Sequence, residues 1–140
     1  MHKMLKRFTL ATILFSIASV SHAAKVHKVV IQVSSADVQI QKMALNNAVN
    51  LQKHYGVDNV KIEIVAYGPG LSLLTKKNKN SKRVESLAVQ EITFSACGNT
   101  IKKVTKKKGK KPVLTEGVKV VAAGVARIIE LEEKGYSWIN

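Results

Sequence analysis

The chain has 140 residues, and its 23 basic and 9 acidic side chains give a formal net charge of +14 at pH 7. This excess of positive charge favours anionic partners but carries no information about the fold. One cysteine and four histidines exclude an internal disulfide and do not make a closed zinc site, so no metal or cofactor is expected.

The first 24 residues have the pattern of a cleavable secretory signal. A basic start precedes an apolar run over residues 8–20, and small residues follow it. That run is shorter than the roughly 20 apolar residues that span a membrane. We expect cleavage after Ala23 or Ala24, which leaves residues 25–140 as a single periplasmic domain with a formal charge of +11.

The mature chain begins with a strand and a helix. The β-branched, apolar run 26–33 predicts the first strand. Ser34 and Ser35 can cap the helix that follows, in which apolar residues recur at three- and four-residue steps from Val38 onward. Gly56 is placed as the residue just beyond a helix C-terminus.

A second strand and a second helical region come next. The segment 59–68, NVKIEIVAYG, predicts the second strand, and Gly68-Pro69-Gly70 breaks it. The letters LSLL predict the start of a helical segment. The basic stretch 76–83 is typical of a surface loop, and the helix is expected to resume through residues 84–88.

The last third of the chain continues the alternation. EITFSA predicts a third strand that ends on Cys97, and a short helix is expected from about Thr100. GVKVVAA predicts the fourth strand. An apolar stripe from Val125 to Leu131 predicts a helix closed by Gly135, and YSWI predicts a short fifth strand.

Strands that alternate with helices predict right-handed crossovers and a mostly parallel sheet. We therefore expect an α/β fold: a small doubly wound sheet of five strands in the flavodoxin-like order 2-1-3-4-5, with helices on both faces. Ligands bind such sheets beyond the carboxyl ends of the strands, where the strand order reverses. The expected binding residues at that edge, besides those beside the cysteine, are Ser34, Ser35, Tyr67, Gly68, Pro69 and Gly70.

Cys97 is the candidate catalytic residue. It stands where the third strand gives way to a helix: Gly98 permits an unusual turn, and Asn99 or Thr100 can serve as N-cap. The positive helix end and two lysines one turn further on would lower the thiol pKa below its usual value of about 8.5. The alternative is a buried, inert cysteine that packs as a small apolar residue.

A cysteine–histidine pair is not expected. His27 opens the first strand and His54 lies near the end of the first helix, so both belong to the edge opposite Cys97. A strand of about seven residues spans roughly 23 Å, so a histidine at its other end is far beyond hydrogen-bond reach of the thiol.

Lysine makes up seven of the ten residues from Lys102 to Lys111. No aromatic residue is interleaved, so a stacking platform for nucleic acid is not predicted. In an exported protein the segment favours an anionic surface such as lipid or polysaccharide over DNA. A solvated face that needs no partner is the simpler interpretation.

Four stretches together resemble the DsrE/DsrF-like family, and in particular its small exported members. They are NNAVNLQKHYG, KIEIVAYGPGLSLL, FSACGNT and GVARIIELEEKGYSWI. They occur in the family's order and cover nearly the whole mature chain. The resemblance implies a doubly wound α/β sheet and homo-oligomers or hetero-oligomers, commonly trimers or hexamers.

The resemblance also implies a role for the cysteine. In the sulfur-relay members, a cysteine just after the third strand carries sulfur as a persulfide, and Cys97 holds that position here. Gly98, Asn99 and Thr100 would stabilise the charged sulfur, which passes from a small sulfur donor to a thiol-bearing protein partner. The expected function is thus a sulfur carrier or sulfurtransferase-like protein. The alternative is a non-enzymatic module that binds a small anion or a partner, with a structural cysteine.

Overall fold

The structure, a computed structural model, describes residues 25–140; the predicted signal segment lies outside the described residues. Strands and helices alternate as the sequence pattern predicts. The strands are β1 His27–Val33, β2 Val60–Ala66, β3 Ile92–Cys97, β4 Val118–Val121 and β5 Ser137–Ile139. The α-helices are α1 Val38–Tyr55, α2 Ser81–Val89, α3 Gly98–Lys108 and α4 Gly124–Glu133. Within residues 25–140, no helix has the length and apolar character needed to cross a membrane.

The five strands form one sheet, and each neighbouring pair of strands is parallel. Its inner strands are almost continuously apolar, as sheets buried on both faces require. Helices pack on both sides of the sheet. The predicted fold class, a small doubly wound α/β sheet, is confirmed.

The strands lie in the order β4-β3-β2-β1-β5. In the expected order 2-1-3-4-5 and in the observed order alike, β1 lies next to an edge strand, and three successive strands lead from β1 to the opposite edge. The edge strand beside β1 is β5 instead of β2, so β2 separates β1 from β3. The hydrophobic pattern could not show this difference, because it marks a segment as a strand without naming the neighbours of that strand.

The chain direction divides the helices between the two faces. Three successive steps, from β1 to β4, move the same way and place α1, α2 and α3 on one face, which we call the major face. The last step carries the chain back across the whole sheet to β5, and α4 covers the opposite, minor face. The loops that follow β3 and β4 therefore leave toward opposite faces, and the crevice lies between these two strands rather than between β1 and β3.

The main core lies on the major face. Phe94 of β3, Ile64 of β2 and Leu45 of α1 are fully buried there. Burial of one such side chain stabilises the fold by roughly 1.5–3 kcal/mol. The minor face has a smaller core, built from Val30 and Val65 of the sheet and from two α4 residues, Ile128 and Leu131.

Three helix starts differ from the predicted ones. Helix α2 begins at Ser81, inside the basic stretch 76–83 that was expected to be a loop. Asp37, rather than Ser34 or Ser35, caps α1. Its carboxylate accepts hydrogen bonds from the backbone N–H groups of Gln39 and Ile40, at 2.8 and 3.1 Å. A carboxylate competes well for this position because it also meets the positive helix end. Helix α3 begins at Gly98, with Cys97 as its N-cap residue, so neither Asn99 nor Thr100 takes that place.

The segment Gly68–Leu74 forms a 3-10 turn, which we call the GPG turn. It follows β2 and packs against the end of β1. A Cβ atom added at Gly70 would lie 2.0 Å from the carbonyl oxygen of Val33. Position 70 therefore requires glycine, because the backbone of the GPG turn lies too close to the backbone of β1 to leave room for a side chain.

Replacing Gly70 with alanine should destabilise the fold strongly. The added methyl group meets a backbone oxygen that belongs to an inner strand, so we expect the free energy of unfolding to fall by roughly 3 kcal/mol or more. Gly109→Ala is the control, since Gly109 has a φ of +64° and open space around it; it should cost about 1–2 kcal/mol from backbone conformation alone. Urea unfolding measures both, and equal costs would contradict the close packing.

Candidate functional site

Cys97 ends β3 at the carboxyl edge of the sheet, beside the crevice between β3 and β4. Its side chain is 5% exposed. The next residue, Gly98, is the first of α3 and passes close to the end of β4: a Cβ atom there would lie 2.9 Å from the carbonyl oxygen of Val121. The strand-to-helix turn is thus held by tight backbone packing.

A second helix also begins at the thiol. The backbone N–H of Gly124, the first residue of α4, donates a hydrogen bond to Cys97 Sγ at 3.2 Å. A Cβ atom at Gly124 would lie 3.3 Å from the Cβ of Cys97 and 3.0 Å from that of Tyr67. The absence of a side chain therefore lets the helix end approach the sulfur. Free N–H groups at a helix start favour negative charge, so this contact stabilises a thiolate.

Thr100 links the thiol to the GPG turn. The backbone N–H of Gly68 donates to Thr100 Oγ1 at 2.9 Å. That bond occupies the hydroxyl as an acceptor and leaves its proton free to donate to the sulfur of Cys97. Gly68, Thr100 and Cys97 therefore form a short polar chain from the turn into the site.

The pKa of the Cys97 thiol is lowered from its usual value. Burial of the thiol raises the pKa, but hydrogen bonds from the side chain and the backbone of Thr100 act in the opposite direction. The backbone N–H groups of Gly124 and Asn99 add to the lowering. The predicted direction of the shift is thus found, but its cause is local hydrogen bonding and not the exposed lysines of α3.

The structure brings together part of the expected residue set. Tyr67, Gly68, Asn99 and Thr100 all lie around Cys97, because β2 and β3 are neighbours. The aromatic side chain of Tyr67 is half-buried and packs with the minor-face core.

The other expected residues lie elsewhere. Ser34 and Ser35 follow β1, which β2 separates from β3, and the Ser35 hydroxyl accepts from the N–H of Asp37 at 3.0 Å. Pro69 and Gly70 shape the GPG turn: the carbonyl of Pro69 accepts from a serine hydroxyl within that turn, at 2.9 Å. Ser34 and Ser35 were expected at the site on the assumption that β1 and β3 are adjacent, whereas Pro69 and Gly70 were expected there because the loop after β2 lies on the same edge of the sheet.

Both histidines of the described chain lie far from the thiol. His27 is the first residue of β1, at the amino edge of the parallel sheet, and its ring stacks on Tyr55 with the centroids 3.8 Å apart. His54 meets the same tyrosine edge-on at 4.6 Å. Neither histidine is placed to act as a base for Cys97.

Sequence reasoning missed a buried ion pair on the minor face. Glu63 of β2 is 4% exposed and accepts two hydrogen bonds from the guanidinium of Arg127, each at 2.8 Å. The hydroxyl of Ser95 donates to the same carboxylate at 2.6 Å. The signal was a glutamate between Ile62 and Ile64, in the part of the strand that is otherwise buried and apolar.

This ion pair anchors α4 near the thiol. Arg127 lies one turn after Gly124, and its backbone N–H donates to the carbonyl of Ala123 at 3.0 Å. The bidentate contact with Glu63 ties that first turn to the middle of the sheet. The position of the Gly124 N–H against Cys97 Sγ therefore depends on a charged contact deeper on the same face.

The surroundings of Glu63 lower its pKa. Burial of the carboxyl raises the pKa, but the hydrogen bonds from Arg127 and Ser95 and the positive charges of Arg127 and Lys119 outweigh burial. The same contacts raise the pKa of Arg127. The pair is thus ionised at neutral pH.

The fold and the site together define a class of protein: a parallel α/β domain with a single thiol at the carboxyl edge of the sheet, where N–H groups at the starts of two helices donate hydrogen bonds to the sulfur. No family model and no curated protein matches the chain. Among solved structures, the chain is similar to MTH1491, a protein of unknown function from Methanobacterium thermoautotrophicum, with 31% identity and a TM-score of 0.72. The match covers 81% of this chain and 97% of that chain. The protein belongs to the same family as MTH1491.

Replacing Thr100 with valine should raise the pKa of the Cys97 thiol, because the main hydrogen bond that lowers it is lost. We expect the midpoint of the pH dependence of iodoacetamide alkylation to move upward. Thr105→Val is the matched control: this hydroxyl also lies on α3, but it donates to the carbonyl of Ile101 at 2.8 Å. Thr100→Ser should restore the wild-type midpoint, and an unchanged midpoint in Thr100→Val would contradict the assignment.

Replacing Glu63 with glutamine should destabilise the protein at neutral pH by about 2–3 kcal/mol, since a buried ion pair loses one charge while water still screens the partner. The folded-state pKa of Glu63 lies below its usual 4.5. Its contribution is therefore present above pH 4.5 and is lost as the pH falls through the folded-state pKa. Unfolding free energies measured between neutral and acid pH should fall less steeply in Glu63→Gln than in the wild type.

Glu130→Gln is the control for this pair. Glu130 is 55% exposed and lies 3.4 Å from Arg127. We expect this change to cost less than about 0.5 kcal/mol. Equal effects at the two positions would mean that the buried contact does not stabilise α4.

Proposed function

We propose that this protein is a periplasmic sulfur carrier or sulfurtransferase-like protein that holds sulfur as a persulfide on Cys97. The observation that supports the proposal is the hydrogen bond from the first N–H of α4 to Cys97 Sγ at 3.2 Å, together with the contacts of Thr100. These contacts lower the pKa of the thiol, and the thiolate is the nucleophilic form of cysteine.

The first step is attack of the Cys97 thiolate on the outer sulfur of a small donor such as thiosulfate. A sulfur–sulfur bond forms to Cys97 as the bond between the donor sulfurs breaks, and the electron pair leaves with sulfite. In the second step, a thiolate on a partner attacks the terminal sulfur of the persulfide. The Cys97 thiolate then leaves, and the partner carries the sulfur. No net oxidant or reductant is consumed.

The local contacts suit this cycle. Cys97 is negatively charged before the first step and again after the second, and its persulfide is a stronger acid than a thiol. N–H donors that stabilise an anionic sulfur therefore favour both states. A carrier and an enzyme would use the same thiol.

The resemblance to DsrE/DsrF-like proteins supports the same role and adds expectations about assembly. On this proposal the protein is exported and forms homo-oligomers, such as trimers or hexamers. A thiol-bearing protein would accept the sulfur. The relative MTH1491 has no known function and supplies no activity of its own.

A second candidate is a non-enzymatic module that binds a small anion or a partner, with Cys97 as a structural residue. The burial of the thiol favours it: only 5% of the residue is exposed, which restricts the approach of large reagents. On this view the Gly124 and Thr100 contacts stabilise the crevice between β3 and β4.

Intact mass spectrometry tests the leading proposal. The mature protein is treated with thiosulfate or polysulfide, and the expected result is a gain of one or more sulfur atoms that a reductant removes. Cys97→Ala should show no gain while unfolding at nearly the same denaturant concentration, because alanine fills most of the site.

The alkylation rate of the native protein, compared with the urea-unfolded protein, completes the test. A thiol that reacts with iodoacetamide in the native state but gains no sulfur would reject the carrier function. Protection from alkylation together with no sulfur gain would favour the binding module. Sulfur gain in Cys97→Ala would show that the thiol is not the acceptor.

A further inference from the structure

The lysines between Lys102 and Lys111 form one exposed surface. They lie on α3 and on the segment that follows it, and all seven are exposed. At the spacing of an α-helix, the outer four fall within an arc of about 140°: Lys102, Lys103, Lys106 and Lys107. The opposite side of α3 packs into the major-face core through Ile101 and Val104. We call the seven lysines the α3 lysine surface.

Among the residues that the structure describes, no acidic side chain forms an ion pair with this surface. The ion pairs found in residues 25–140 involve Lys82 and Arg127, and none includes a lysine of α3 or of the segment after it. Lys102 and Lys106 are four residues apart on one helix, as are Lys103 and Lys107, and like charges at this spacing repel. An anionic partner would remove that repulsion.

Apolar side chains lie directly beside the charges. Val113 is 58% exposed and Val120 is 56% exposed. Val113 lines a groove of about 520 Å³ between the GPG turn and the end of α3, together with Lys108 and Lys110. Val120 lines a second groove of about 530 Å³, together with Lys102 and Lys106.

The two grooves share Lys111, and each is lined by further lysines of the α3 lysine surface. A soluble polyanion would use the charges and leave the apolar floors uncovered. A lipid bilayer offers both an anionic headgroup layer and apolar chains just beneath it. Basic residues next to exposed apolar residues are the arrangement that binds membrane surfaces peripherally.

We propose that the α3 lysine surface docks the folded protein onto an anionic lipid bilayer, with Val113 and Val120 entering the interface. The docking is peripheral and reversible, and it does not depend on the sulfur chemistry of Cys97. Because the contact is chiefly electrostatic, it weakens as the ionic strength rises.

Vesicle co-sedimentation of the mature protein tests this proposal. The probes are vesicles of phosphatidylglycerol and phosphatidylcholine in equal parts, and vesicles of phosphatidylcholine alone. We expect binding to the first and not to the second. Replacing Lys102, Lys103, Lys106 and Lys107 with glutamine should weaken binding by about tenfold or more.

The matched control removes the same charge from other exposed positions: Lys25, Lys42, Lys53 and Lys61 are replaced with glutamine. It should weaken binding by less than about threefold, since only the overall charge changes. Equal losses in the two variants would overturn the assignment to α3. No preference for the anionic vesicles would overturn the proposal altogether.

A double variant, Val113→Ser with Val120→Ser, separates the bilayer from a soluble polyanion. It keeps every lysine, so binding to inorganic polyphosphate should be unchanged, whereas vesicle binding should fall about threefold or more. Unchanged vesicle binding in this variant would exclude insertion of the two valines. Retained polyphosphate binding without vesicle binding in the wild type would make the surface a polyanion site instead.

Discussion

The ion pair between Glu63 of β2 and Arg127 of α4 is the contact on which the candidate site depends. In the described chain, α4 is the one helix that packs on the minor face, and few apolar residues hold it there. Two hydrogen bonds of 2.8 Å attach its first turn to the sheet. That attachment places the N–H of Gly124 against Cys97, so a charged contact inside the fold positions one of the hydrogen-bond donors that lower the pKa of the thiol.

Strand order explains why α4 is there at all. The chain crosses the sheet in one direction from β1 to β4 and returns to β5 along the other face. The return opens the crevice beside β3, where Cys97 ends its strand. A helix start from each side of the sheet then meets the same sulfur: α3 continues directly from it, and α4 points its first N–H at it. Two helix N-termini at one thiol are a consequence of topology.

Much of the architecture was predictable because it depends on residues that are near one another in the sequence. Apolar runs and turn residues identified the strands and helices, the α/β class followed from their alternation, and the Cys97-Gly98 turn was recognised from its place after β3. The Glu63–Arg127 contact was not predictable, since a single glutamate in a strand is equally compatible with water and with a buried partner. Ser34 and Ser35 were assigned to the site through an order in which β1 adjoins β3.

The amino-acid sequence by itself determined which segments are strands and which are helices, and their order along the chain. It also determined the position of the single thiol at a strand end and the unbalanced positive charge of α3. These properties depend on neighbours within a few residues along the chain. Only the tertiary structure decided which strands adjoin, which face α4 covers and which N–H groups reach the sulfur of Cys97. Those contacts join residues far apart in the chain, such as Gly124 to Cys97 and Arg127 to Glu63. Their partners are selected by the packing of the whole sheet, which no local pattern encodes.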